Sequence, residues 1–162
     1  MKRPLPTTTS QPFFDAAAAG RLSFPRCPGC GAWQSYPRPY CPVCLGDDLE
    51  LVPVAGTGTV HAATVVHRAI VAAFTEQIPY VHALVDLDEG IRVVSMVIDC
   101  PPEVVRPGLP VVAVIDLPPD ETNGPSTPLV LFRPRPPDES DHAHHTGLTM
   151  SEAAPVPASP GE

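Results

Sequence analysis

Four of the chain's five cysteines lie in the stretch PRCPGCGAWQSYPRPYCPVC, residues 25–44, as two C-x-x-C pairs. Cys27 pairs with Cys30 and Cys41 with Cys44, with residues 31–40 between the pairs. A C-x-x-C turn aims two thiolates at one point, and a glycine just after it, here Gly31, lets the backbone turn without a Cβ clash. Two such knuckles complete a tetrahedron with sulfur about 2.3 Å from an ion, and four thiolates favour zinc among common cellular cations. A site of this kind has no open position, so it is structural: metal binding supplies folding free energy to a loop too small to bury a core. An iron ion of the same geometry, a disulfide pair and a redox-active C-x-x-C are the competing readings. The redox reading is the weaker because no parallel βαβ pattern surrounds either pair. Four thiolates on a divalent ion leave a net of about -2, which Arg26 and Arg38 are placed to offset. Cys100, beside Pro101 and Pro102 at a strand end, reads as a buried or half-buried bystander rather than a nucleophile.

The elements around the clamp are short. The 162 residues include 24 prolines, far above the roughly 5% of average usage, which implies turns and edges rather than long helices. Ahead of the cysteines, SQPFFDAAAAGRL predicts a short helix capped by Ser10, with Pro12 in its first turn and Gly20 at its left-handed stop. Such a helix is marginal alone, so Phe13 and Phe14 must pack either on their own domain or on another subunit. After the clamp, LELVPV (49–54) leads to Gly56 and Gly58, whose spacing suits a bend or bulge. Strand patterning follows at 59–67, 80–87, 91–98, 111–117 and 129–132. In YVHALVDL, Val81, Ala83, Val85 and Leu87 share one face and His82, Asp86 and Asp88 the other. Gly90 closes a tight hairpin between the second and third of these strands.

Five short strands with a Pro-rich excursion between the third and fourth match a small Greek-key barrel of the OB type, the alternative being an open sandwich. Closure removes the exposed edges that strands this short would leave. The connection RAIVAAFTEQIP (68–79) is apolar for a loop, so Ile70, Val71 and Phe74 either cover the barrel mouth or dock on a partner or ligand. Residues 135–162, rich in Pro, Ser and acidic side chains and without periodicity, read as a disordered tail. His142, His144 and His145 in it are a solvated tract rather than a ligand set.

A net charge of -8 and a pI near 5.1 argue against a protein whose task is to grip nucleic-acid phosphates. An OB module for single strands also needs aromatic platforms and a basic groove, and only Tyr80 and Phe74 offer themselves as platforms. No secretory leader or membrane-crossing run is legible, and the reading is a cytoplasmic protein with reduced thiols. No G-x-S-x-G, phosphate-cradling glycine loop or H-E-x-x-H is present. His67 with Arg68 is the one pair placed to meet a phosphate or diphosphate.

The order PFFDAAAAGRL, PRCPGCG, YCPVC, LELVPVAGTGTV, IPYVHALVDLDEGIRVVSMV and VRPGLPVVAV, over residues 12–134, resembles the rubredoxin-like zinc-ribbon plus OB-fold family associated with acyl-CoA metabolism. The resemblance implies an N-terminal arm and helix over 1–22, a ribbon over 23–48, a barrel over 49–134 and the tail beyond. It also implies a non-catalytic companion of thiolase-fold acetyltransferases, lipid-transfer-type thiolases and steroid side-chain aldolases, or of hotdog-fold hydratases, which organises the complex and helps bind acyl-CoA. In that reading Cys27, Cys30, Cys41 and Cys44 hold structural Zn2+. His67 and Arg68 are candidates for the acyl-CoA diphosphate, and Phe13, Phe14, Ile70, Val71, Phe74 and Tyr80 for the partner contact. A free-standing OB module for nucleic acid is the rival.

Overall fold

The computed structural model describes residues 5–68, 72–117 and 127–136. Ile70, Val71 and the tail from residue 137, with its three histidines, lie outside the described residues, as does the side chain of Phe74. The described residues are mostly β, with one short α-helix among them, α1 (Gln11–Ala18). Among the described residues no helix is long and apolar enough to cross a membrane.

The expected cap of α1 is displaced by a turn. Ser10 has helical dihedrals (φ -92°, ψ -11°) and makes no side-chain cap bond. Instead the Thr7 N–H donates to Ser10 Oγ at 2.8 Å and the Ser10 N–H to Thr7 Oγ1 at 3.3 Å. This reciprocal pair is the geometry of a capping box, and it puts Thr7 at the cap because both members of the box are hydroxyl residues three apart. At the other end Gly20 takes φ +75°. The Arg21 N–H reaches Ala16 O and the Gly20 N–H reaches Ala17 O, each at 2.9 Å, which satisfies the last carbonyls in a Schellman stop.

Strand β1 (Ser23–Arg26) pairs antiparallel with β2 (Glu50–Pro53), and both cysteine pairs lie in the excursion between them. The LELVPV segment therefore pairs with the ribbon's own first strand, not with the barrel. The barrel is built from β3 (Thr57–Val66), β4 (Tyr80–Leu87), β5 (Arg92–Val97), β6 (Pro110–Asp116) and β7 (Leu129–Pro134). It closes in the order β3-β4-β5-β7-β6, with β6 returning to β3. All neighbours are antiparallel except β5 and β7, which meet in parallel at Val97 and Phe132. The Ser95 hydroxyl donates across this thin seam to Val130 O at 2.6 Å.

Closure depends on β3, which pairs with β4 along its length and with β6 over its first residues. The register shifts between Val60 and Ala62, making His61 a bulge residue that bends the strand. Gly58 lies opposite both Leu87 and Val111. A Cβ there would collide with the Asp86 carbonyl oxygen and sit 2.9 Å from Leu87 Cα, so the glycine serves close approach rather than a turn.

Val81, Ala83, Val85 and Leu87 are all buried, as the alternation in β4 requires, and they join Val60, Val93, Val97, Val111 and Phe132 in one core. Leu22 and Phe24, from the ribbon side, belong to the same cluster. Ribbon and barrel thus share apolar packing. The β4–β5 hairpin adds polar ties: the Glu89 carboxylate accepts from the Ala55 N–H at 2.7 Å, and the Thr57 hydroxyl donates to Asp88.

Candidate metal centre

The two knuckles have the same backbone wiring. In the first, the Gly31 N–H donates to Cys27 O at 2.7 Å and the Cys27 N–H to Ala32 O at 2.9 Å. In the second, the Leu45 N–H donates to Cys41 O at 2.9 Å and the Cys41 N–H to Gly46 O at 2.8 Å. The residue after each pair adopts positive φ, +73° at Gly31 and +63° at Leu45. Cys27 and Cys41 are buried and Cys30 and Cys44 exposed. Each short contact joins a buried thiol to an exposed one of the other knuckle, Cys27 to Cys44 and Cys30 to Cys41, both at 3.5 Å.

All four sulfurs lie within 4.8 Å of one another. A regular tetrahedron with metal–sulfur bonds of about 2.3 Å has edges of about 3.8 Å, so the quartet is spaced to bind a metal. Its electrostatics are divided. Backbone N–H groups of Cys44 and Val43 draw the Cys41 thiol down to about 6, against the smaller opposing effect of desolvation. At Cys30 the Ala32 N–H pulls downward but is outweighed by the neighbouring thiols and desolvation, which push the group up to about 12. The four thiols titrate as a coupled set, and a bound cation would hold them all as thiolates.

Sequence reasoning overlooked Gln34, whose side chain braces the loop between the knuckles. It is 4% exposed, donates through Nε2 to Tyr40 O at 3.1 Å and accepts from the Arg38 N–H at 3.2 Å. Arg26, expected to offset the sulfur charge, lies with its guanidinium 5.2 Å from the Trp33 ring and its Nε–H toward Gly31 O at 3.4 Å. A polar cluster on the barrel wall was also overlooked. Arg92 holds Asp86 through two hydrogen bonds, 2.6 and 2.9 Å, and His61 Nδ1 lies 3.1 Å from the same carboxylate. Hydrogen bonding from Arg92, more than its charge or that of His61, keeps the Asp86 carboxyl below its usual range.

The other anticipated residues are distributed as follows. Phe13 packs inward, its ring 5.6 Å from that of Phe24, while Phe14 meets Phe13 edge-on at 5.3 Å. Both border an apolar groove of about 370 Å³ between α1, the inter-knuckle loop and the β5–β7 seam, floored by Phe24 and Phe132. His67 and Arg68 are exposed just beyond β3. Tyr80, half-buried at the start of β4, has its ring 5.4 Å from His82. Cys100 is half-buried, and burial first, then the charges of Asp99 and Glu103, pushes its thiol up.

A four-cysteine ribbon packed on a closed five-stranded barrel defines the class: a metal-ribbon OB-fold protein. Residues 14–50 match the rubredoxin-like zinc ribbon domain of ChsH2, and residues 51–116 match the C-terminal OB-fold domain of ChsH2. The solved structure described as "Ltp2-ChsH2(DUF35) aldolase" superposes with a TM-score of 0.68 at 37% identity, covering 82% of this chain and 98% of that one. This chain belongs to the ChsH2 (DUF35) family. Two curated relatives are a probable enoyl-CoA hydratase alpha subunit of Thermomonospora curvata, 39% identical over 98 residues, and a DUF35 domain-containing scaffold protein of Methanocaldococcus jannaschii, 38% identical over 85 residues. These alignments take in 60% and 52% of this chain, and the chain spans 30% and 60% of the respective relatives.

Proposed function

We propose that this chain is a non-catalytic companion subunit that binds a thiolase-fold acyltransferase or aldolase, or a hotdog-fold hydratase, and assists acyl-CoA binding in lipid, steroid or related acyl-CoA metabolism. The observation that carries this reading is the likeness, over 98% of its length, to a chain of an aldolase whose description joins Ltp2 to ChsH2(DUF35). The names of the curated relatives, a hydratase subunit and a scaffold protein, point the same way. The ion is Zn2+, held by Cys27, Cys30, Cys41 and Cys44. Four thiolates saturate a tetrahedral ion, so the site is a staple without an open position for substrate. His67 and Arg68, both exposed, are assigned to the acyl-CoA diphosphate, and Phe14 beside its groove to the partner. The cytoplasm, which keeps thiols reduced, is the assigned compartment.

The test is to co-express the full chain, one at a time, with the thiolase-fold and hotdog-fold subunits of its own genome. One of them should co-elute with it, and acyl-CoA turnover by that subunit should rise when the chain is added. Substituting His67 and Arg68 together with alanine should then weaken acyl-CoA binding without dissolving the complex. Failure of every pairing, turnover by the solitary chain, or salt-sensitive binding of a labelled oligonucleotide would reject the reading.

A further inference from the structure

The matching wiring of the two knuckles provides an internal comparison. Gly29 and Gly31 of the first correspond to Val43 and Leu45 of the second. Both substituted positions are outward: Val43 is 70% exposed and Leu45 76%. Leu45 is doubly out of place, because it also holds φ +63°, a backbone region in which a branched side chain is strained and glycine is not. Neither side chain is buried in this chain, and strain combined with apolar exposure marks a surface completed by something else. Tyr40, 58% exposed, immediately precedes the second knuckle, and its carbonyl is pinned by Gln34. The three side chains are thus presented on a loop fixed at both ends, which lowers the ordering cost of docking.

The surroundings specify the occupant. Residues 40–50 carry Asp47, Asp48 and Glu50 and no Lys or Arg, all three carboxylates are exposed, and a loaded tetrathiolate adds about two more negative charges. We infer that the tip of the second knuckle, Tyr40, Val43 and Leu45, is a docking knob for a protein subunit bearing an apolar socket rimmed by Lys and Arg. This rests on the companion reading and locates its contact surface. Tyrosine is a common anchor of such interfaces and an aliphatic side chain anchors one when it fills a pocket, while the charged rim speeds encounter.

The experiment uses the full-length zinc-loaded chain and the subunit that co-elutes with it. Val43→Gly with Leu45→Gly gives the second knuckle the outer residues of the first. Zinc content should stay unchanged and the thermal midpoint should hold or rise, while affinity for the subunit, measured by calorimetry, falls at least tenfold. Asp47→Asn with Asp48→Asn should slow association and flatten its salt dependence. If the double glycine variant loses zinc, Leu45→Asn, which tolerates the left-handed backbone, is measured in its place with the same threshold. Affinity within twofold of wild type would overturn the inference. So would faster zinc exchange with unaltered affinity, which would assign the two side chains to shielding the sulfurs. If the wild-type chain binds none of the candidate subunits, the companion reading fails first and this inference falls with it.

Discussion

Cys27 and Cys41 are buried while their partners face solvent, so the two members of each pair are not equivalent. Replacing a buried ligand leaves a metal-binding group short of its fourth sulfur inside the ribbon. Cys27→Ser should therefore release the ion, measured by elemental analysis, and unfold the ribbon, with loss of the shared packing at Phe24. Retention of fold and partner binding without zinc would contradict a structural role. The spacing of these four residues was legible because a knuckle is a local object, wired within six residues. Gln34 was less legible: its partners are near in sequence, but nothing in its type announces a buried brace. Glu89 and His61 were invisible as partners, since the contacts of Glu89 with Ala55 and of His61 with Arg92 span 34 and 31 residues. The pairing of β3 with β4 brings His61 to Asp86 and Arg92, which face each other across the β4–β5 hairpin.

Among the elements, β3 carries the most constraint, being paired on two sides and bent at His61. Gly58→Ala should destabilise the barrel by about 1–3 kcal/mol, the usual cost of overpacking, because the obstructing atoms are backbone and cannot rotate away. Denaturant titration would read this directly. The β4–β5 ion pair should contribute far less, since its side chains are half exposed and screened. The Asp86 carboxyl is held below its ordinary value, so its contribution is present at neutral pH and lost as acid protonates it below that value. Asp86→Asn should accordingly lower stability by under about 1 kcal/mol at pH 7, and the difference from wild type should close in acid. Strand existence was readable from alternation, as in β4. The pairing of LELVPV with β1 was not, because a short apolar strand pattern does not say which edge it will join. The helix cap was misplaced for a related reason: Thr7 and Ser10 are both capping types, with serine the better by type, and only the hydrogen bonds show which one caps.

For the whole molecule, the decisive fact is that Leu22 and Phe24 complete the core that the barrel strands begin. A ribbon tethered by a flexible linker would melt independently of its barrel. Here, shared apolar burial and the Glu89 tie to Ala55, in the connection between β2 and β3, couple the two lobes. Thermal unfolding of the zinc-loaded chain should be one transition, and chelation should lower its midpoint rather than split off a separate ribbon melt. Two well-separated calorimetric peaks would show the lobes to be independent. That the chain reads as a ribbon beside a barrel was clear from cysteine spacing and strand count. Their fusion into one hydrophobic unit was hidden, because Leu22 just past the helix stop and Phe24 in a four-residue strand carry no sign of the long-range packing they make.

The chain contains a single tryptophan, and Trp33 bridges Arg26 across the base of the first knuckle with the guanidinium lying over its ring. Indole emission shifts with solvent access and with nearby cations, and this one sits one residue beyond the carbonyl that anchors Cys27. Its fluorescence is therefore an intrinsic gauge of ribbon assembly, following ion uptake and loss in real time without any added dye.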